Sequence, residues 1–308
     1  MYGYVGITDF QWFSFLSSQR GIDEVNFWQP GGNRRFTALN KGELFLFKLH
    51  NPRNYIVGGG FFTHSNIFPT SLAWEAFGIK NGAATIEEMR SRIERLRRQT
   101  KSLKEDYNIG CIILTQPFFF LENQWIKTPD DWKPGIQQGK KYDFTKDHGK
   151  VLNKEVSDRL SLNSDSNVYK AAEEKDKYGR PVSVLPRLGQ GGFRVLVTDA
   201  YQRQCTITGE KVLPALETAH IRPYAENGTH EPNNGLLLRR DFHTLLDRGY
   251  LTITPKYFVE VSKRIKEEFH NGREYNAYHG KKINLPLQTQ YLPSPENLSW
   301  HNESKYLG

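Results

Sequence analysis

The stretch whose reading decides the fold runs from Cys205 to Ile253, CTITGEKVLPALETAHIRPYAENGTHEPNNGLLLRRDFHTLLDRGYLTI. Leu216 to Tyr224 reads as a strand containing His220, and Ala225 to Asn234 as a polar loop with an Asn227-Gly228 turn signal. Gly235 to Leu238 is a short apolar strand, and Arg239 to Asp247 reads as a helix that ends before Gly249. The order is a β-hairpin followed by a helix. It sets His220 on the first strand, Asn234 at the start of the second, and His243 and Asp247 one turn apart on the helix.

These polar anchors sit in a matching apolar context: Ala219-His220-Ile221-Arg222-Pro223, Asn234-Gly235-Leu236-Leu237-Leu238 and His243-Thr244-Leu245-Leu246-Asp247-Arg248-Gly249. The set resembles the HNH nucleases of the ββα-metal type, in the branch found in restriction-type endonucleases. Upstream, Gly189-Gln190-Gly191-Gly192-Phe193-Arg194 and Cys205-Thr206-Ile207-Thr208-Gly209 fit the same branch. The resemblance implies metal-dependent hydrolysis of DNA phosphodiester bonds, with His220, Asn234 and His243 as the catalytic set. Such hydrolysis needs a deprotonated water in line with the leaving oxygen and charge stabilisation at phosphorus. A neutral imidazole, with an ordinary pKa of about 6.5, suits the first task near neutral pH. His220 is therefore the expected general base, and the resemblance implies that the Asn234 side-chain carbonyl orients its other ring nitrogen.

His243 is by the same resemblance a ligand for Mg²⁺ or Mn²⁺, with other divalent ions left open. Asp247 has two readings: a second ligand, or a helix cap bonded to Arg248. Many members of the family carry an Asp or His just before the catalytic histidine, where this chain has Ala219. Either Glu217 or Asp247 contributes instead, or fewer protein ligands hold the ion together with water and phosphate. Arg222, Arg239 and Arg240 flank the centre and read either as phosphate contacts for DNA or as ordinary exposed arginines. His230, His270 and His279 read as surface residues, and Cys205 as a small buried hydrophobe.

The rest of the chain is aromatic and basic. Its 308 residues exceed one average domain. The formal net charge is +8, yet the Cys205–Ile253 stretch is itself slightly acidic, so charge alone is a weak argument for a nucleic-acid partner. Two cysteines, Cys111 and Cys205, exclude a disulfide scaffold and an all-cysteine zinc site. No signal-peptide pattern opens the sequence and no apolar run spans a bilayer, which leads to the expectation of a cytoplasmic protein without a membrane partner. The polar stretch 161–180 reads as a linker between an N-terminal domain, 1–160, and the nuclease domain, 181–308.

In the N-terminal part, Glu43–Leu49, Tyr55–Phe62 and Cys111–Leu114 read as strands, with Gly58-Gly59-Gly60 allowing a bulge or a close backbone approach. Thr85 and Glu88 fit a capping box before an arginine-rich helix, which reads either as a phosphate-contacting face or as a solvated one. The order Trp28-Gln29-Pro30, Lys41-Gly42-Glu43, Ile56-Val57-Gly58-Gly59-Gly60 resembles the small PUA/EVE-type β-barrels. The resemblance implies an α+β chain whose PUA-like barrel binds nucleic acid or a single modified base. Trp12, Trp28 and Trp74 are candidate pocket walls for such a base, the alternative being that they are core.

The expected whole is a modification-dependent restriction enzyme acting on double-stranded DNA. It would work as a homodimer, since one HNH centre cuts one strand. A site-specific nuclease indifferent to modification, and a non-catalytic nucleic-acid-binding protein with a decayed HNH fold, are the competing readings.

Overall fold

Leu44-Phe45-Leu46-Phe47-Lys48-Leu49 is buried along its whole length, because its alternating side chains meet a separate layer on each face. In the computed structural model, which describes residues 1–32, 34–97, 106–162 and 188–308, this strand lies inside the first of two units, Met1–Gly189 and Gln190–Gly308. The first unit runs β1 (Tyr2–Thr8), α1 (Phe10–Ser17), β2 (Glu24–Gln29), β3 (Leu44–Leu49), β4 (Tyr55–Pro69), α2 (Thr70–Phe77), α3 (Ile86–Arg97), β5 (Asn108–Phe119), β6 (Ile126–Lys127), β7 (Gly139–Asp143) and α4 (Asp147–Leu162). Leu44 and Leu46 join Val5, Leu152 and Val156 in one cluster, which brings α4 onto the sheet. Phe45 and Phe47 face the other way, with ring centroids 4.7 Å from Phe27 and 5.0 Å from Trp12. Each such fully buried side chain contributes roughly 1.5–3 kcal/mol.

The strand order is β2-β5-β4-β3-β1-β7, with β6 also pairing β4. Only β1 and β3 run parallel; their neighbours are antiparallel. The α+β class expected from sequence is present, but the sheet is not a closed barrel. Beyond β2, its side chains bond a short 3-10 helix, Gly78–Asn81, rather than a further strand: Trp28 Nε1 donates to the Asn81 carbonyl and Asn26 Nδ2 to Asn81 Oδ1, both at 2.9 Å. The opposite end, β7, is a short strand carrying Lys140 and Lys141, a composition that discourages further pairing.

Two local signals in the sequence of this unit have counterparts in the structure. The glycine triplet coincides with a register shift between β4 and β5 at Gly59/Phe61. Half of the capping box is formed, with Glu88 N donating to Thr85 Oγ1 at 3.2 Å, while Glu88 Oε2 accepts from Ala84 N, one residue before the cap, at 2.8 Å. The arginines of α3 follow neither alternative cleanly. Arg92 is buried against Glu88 and the Gly82 carbonyl, and Arg97 bonds the Pro30 and Asn108 carbonyls, so both tie the helix to its surroundings.

Of the expected linker, Ser161 and Leu162 complete α4, and the remainder lies outside the described residues. Among the described residues, no helix is long and apolar enough to cross a membrane.

The second unit contains α5 (Gln190–Ala200), β8 (Leu216–His220), β9 (Gly235–Arg239), α6 (Arg240–Asp247), β10 (Leu251–Ile253), β11 (Val259–Val261), α7 (Arg264–Phe269), α8 (Arg273–Asn276) and α9 (Pro295–Ser304). β8 and β9 form an antiparallel hairpin from Leu216↔Arg239 to His220↔Gly235. Its core joins Phe193 and Val197 of α5, Ala219, Leu236 and Leu238 of the hairpin, and Phe242 and Leu246 of α6. Buried His301 locks α9 down through Thr252 Oγ1 at 2.8 Å and the Leu246 carbonyl at 3.1 Å.

A Cβ added at Gly58 would lie 2.2 Å from the Phe118 carbonyl oxygen, a backbone atom that cannot step aside. Gly58→Ala is expected to destabilise the protein by about 1–3 kcal/mol, read as a lower urea midpoint. An unchanged midpoint would contradict this close approach of β4 to β5.

Candidate active site

The β8–β9 hairpin places its polar residues by simple alternation. Ala219 is completely buried in the core, while His220 is half-buried and lies flat on Phe193, with ring centroids 4.0 Å apart and 12° between planes. Burial, followed by the nearby imidazoles of His230 and His243, pushes the His220 pKa down to about 4. The ring is therefore neutral at physiological pH. Its Nε2 lies 3.0 Å from His230 Nδ1, and among the described residues its Nδ1 has no hydrogen-bond partner.

Asn234 does something other than the sequence suggested. Its Oδ1 accepts from the Arg222 backbone N–H at 3.0 Å, and the His220 ring bonds His230 instead of it. Its Nδ2 donates to the carbonyls of Arg222 and Thr229, both at 2.9 Å. The side chain is fully buried and clamps the two sides of the loop between the strands. His230, expected as a surface residue, is half-buried inside that loop, against His220 on one side and the Tyr224 ring on the other. A histidine in a polar loop carries no local signal for this role; the Asn234 clamp and the Tyr224 ring hold it inward.

On α6, His243 Nδ1 lies 3.0 Å from Glu217 Oε2, and His243 Nε2 lies 3.3 Å from Asp247 Oδ2. Arg240 Nε holds the other Glu217 oxygen at 3.0 Å. Asp247 thus meets His243, and no bond to Arg248 is formed. Glu217 and Ala219 share one face of β8 by alternation, so Glu217 approaches His243 two positions before the place where a ligand is missing.

Among the described residues, no group of three or more His, Cys, Asp or Glu side chains is arranged to hold a metal ion. A pair is present. With Glu217 accepting the Nδ1 proton of His243, the Nε2 lone pair faces the Asp247 carboxylate, the donor arrangement of a carboxylate-oriented ligand histidine. One imidazole and one carboxylate fit a divalent ion that keeps water and phosphate oxygens in its remaining positions.

The three flanking arginines differ. Arg239 bonds Asp241 at 2.8 and 2.6 Å and Glu274 at 2.7 Å, and these carboxylates raise its pKa further. Its charge is used inside the protein, which removes it from the set expected to contact DNA. Arg222 bonds the Glu226 carbonyl and lies over Trp300, with its guanidinium 5.3 Å from the ring centroid, while Arg240 is mostly exposed beside Glu217. Cys205 is buried as expected and also accepts weak bonds at Sγ from the backbone of Thr208 and Arg239, both at 3.4 Å.

The N-terminal unit has its own cleft of about 1270 Å³, at the C-terminal ends of β1, β2 and β3. Trp12 and Trp28 reach its wall but are core residues, 1% and 7% exposed, and Trp74 on α2 is not part of it. The polar end holds Asp9, Lys48, His50 and Asn54, with Trp132 beside them. Lys48 is 2% exposed; its Nζ donates to the Leu49 carbonyl at 3.0 Å and to Asn54 Oδ1 at 2.8 Å, and lies 5.1 Å from the Trp132 ring centroid. Among the described residues no carboxylate lies within ion-pair distance of it, and burial lowers its pKa. A lysine inside an otherwise apolar strand was the available sequence signal for this site.

Comparison with known proteins supplies the chemistry that this geometry serves. Residues 205–254 match the HNH endonuclease family, in which divalent metal ions are generally used. Among solved structures, a ZmASCH variant from Zymomonas mobilis is similar at 10% identity over 49% of this chain and 96% of its own, with a TM-score of 0.32. The structure described as "Modification dependent TagI restriction endonuclease" is similar at 12% identity over 98% of this chain and 81% of its own, with a TM-score of 0.29. At those scores neither likeness fixes the arrangement of this chain. No curated protein matches it. The family match falls on the hairpin and helix that hold His220, Asn234, His243 and Asp247, so the C-terminal unit carries an HNH endonuclease domain and the chain is a DNA-hydrolysing nuclease.

Proposed function

We propose that this nuclease is a metal-dependent, modification-dependent restriction endonuclease with His220 as its general base. The observation that carries the catalytic assignment is the His220 ring itself. It is neutral, packed flat on Phe193, and has an Nδ1 to which no protein group bonds among the described residues. That nitrogen takes a proton from water, and the water oxygen attacks phosphorus in line with the departing 3′ oxygen. His243 and Asp247 are the residues that would hold the divalent ion, with Glu217 fixing the His243 ring. When bound, the ion supplies Lewis-acid stabilisation of the phosphate and of the leaving oxygen. Arg222 and Arg240 are the flanking cations that contact DNA phosphates.

Selection of modified DNA is assigned to the cleft of the N-terminal unit. Reading a modified base inside a duplex requires extruding it into a pocket that offers an aromatic surface and polar groups for its edge. Trp132, Lys48, His50 and Asn54 supply both at one end of the cleft. Two copies of the chain then cut the two strands, each HNH centre acting on one.

His220→Ala is expected to lower Mg²⁺- or Mn²⁺-dependent cleavage by about 10²–10⁴-fold while leaving DNA binding intact. Undiminished cutting would refute the base assignment, and no nicking by the wild type with any divalent metal would favour a decayed, binding-only protein.

The pH dependence has a definite sign. A base works only when neutral, and an ordinary imidazole is half protonated near pH 6.5. With its pKa pushed down to about 4, His220 remains neutral at pH 5 to 6, so cleavage at saturating metal should hold its rate there. A rate that halves near pH 6.5 under those conditions would contradict the depressed value.

One plasmid prepared with and without cytosine or adenine modification tests the selectivity. Preferential cutting of a modified form is expected; equal cutting of all forms would instead identify a site-specific nuclease indifferent to modification.

A further inference from the structure

We infer that His230 is the positioning residue that fixes the orientation and tautomer of His220, an inference that rests on the reading of His220 as the base. The two rings are joined by a single hydrogen bond, His220 Nε2 to His230 Nδ1, at 3.0 Å. One proton lies on that line. Placed on His220 Nε2, it leaves a lone pair on Nδ1, the nitrogen with no protein partner among the described residues and the one that can accept a proton from water. His230 Nδ1 is then the acceptor, and the His230 proton sits on Nε2, which likewise has no protein partner among the described residues.

Among the described residues, no other group bonds the His220 ring. The Asn234 Oδ1 bonds the Arg222 backbone N–H and makes no bond to the His220 ring, and the Phe193 ring supports the His220 face without accepting its proton. His230 is held in place from several directions. Tyr224 stacks on it at 4.8 Å and 8°, and the neighbouring Thr229 carbonyl is fixed by Asn234 Nδ2. A continuous path therefore runs from Asn234 through Thr229 and His230 to the base. When His220 takes the water proton at Nδ1 and becomes an imidazolium, its Nε2–H bond to the neutral His230 turns into a charge-assisted one and strengthens.

The test uses the full chain with His230→Ala and His230→Asn, measured at saturating Mg²⁺ beside His220→Ala. It also uses ¹⁵N NMR of the imidazole nitrogens, with His220 resonances identified by their loss in His220→Ala. His230→Ala should lower kcat about 10–100-fold, the scale typical of a lost outer-shell partner. The KM for DNA should stay nearly constant, since the loss falls on a step after binding. His230→Asn, whose Oδ1 falls near the former Nδ1 position, should recover most of the rate. The NMR spectrum of the wild type should show the His220 proton on Nε2.

Wild-type kcat in His230→Ala, equal impairment of folded Ala and Asn variants, or a His220 proton on Nδ1 would each overturn the inference. The wild-type spectrum decides even where a variant fails to fold. An active His220→Ala would overturn the base assignment itself; an inactive His220→Ala beside a fully active His230→Ala would overturn only the role of His230.

Discussion

Asn234 is fully buried, and its amide bonds only to backbone: one N–H of Arg222, the carbonyl of Arg222 and the carbonyl of Thr229. A buried primary amide left unsatisfied costs about 1–3 kcal/mol per lost partner, so the loop has one arrangement in which all three bonds are made. That arrangement folds the chain back after Pro223, where Gly228 N bonds the Pro223 carbonyl and Asn227 takes a left-handed conformation. It also carries His230 to His220. The asparagine thus acts on the site through loop geometry, at one remove from the reacting atoms.

The hairpin it closes is packed on both faces. Phe193 and Val197 of α5 lie against one end, and a Cβ at Gly235 would fall 2.4 Å from Val197 and 2.9 Å from Phe193. The glycine after Asn234 is what lets α5 approach closely enough for Phe193 to stack on His220. On the α6 side, Phe242 and Leu246 bury the helix, leaving His243 and Asp247, one turn apart, on its more exposed side. The rigidity of the core is in this way passed to polar residues that must be held to a fraction of an ångström.

The hairpin and helix were legible from sequence because their signals are local: apolar runs, an Asn-Gly turn and a stop at Gly249. The identities of His220, His243 and Asp247 as neighbours followed from that frame. What escaped were contacts between residues whose sequence context says nothing about direction. In sequence His230 reads as any loop histidine, and Asn234 reads as the partner its chemistry suits, whereas the loop gives it Arg222 and Thr229. In the N-terminal unit, composition reveals β3 and parts of β4 and β5, but neither β1, β2, β6 and β7 nor whether the sheet closes. Whether a sheet closes depends on what meets its two end strands, here Asn81 and the lysines of β7. Tryptophans drew attention as pocket walls, yet large rings are most valuable where they are buried. Trp12 and Trp28 went to the core, while the less buried Trp132 lies beside the polar end of the cleft.

Lys48 gives the N-terminal unit an unusual thermodynamic character. A folded-state ammonium with a lowered pKa binds its proton less readily than the unfolded chain does. Its charge therefore counts against folding at neutral pH, and the penalty fades as pH rises through the folded pKa toward the ordinary value near 10.4. A group that supplies electron density to Nζ relieves the same penalty without any change in pH. A ligand held in the cleft through Nζ would therefore register as added resistance to unfolding.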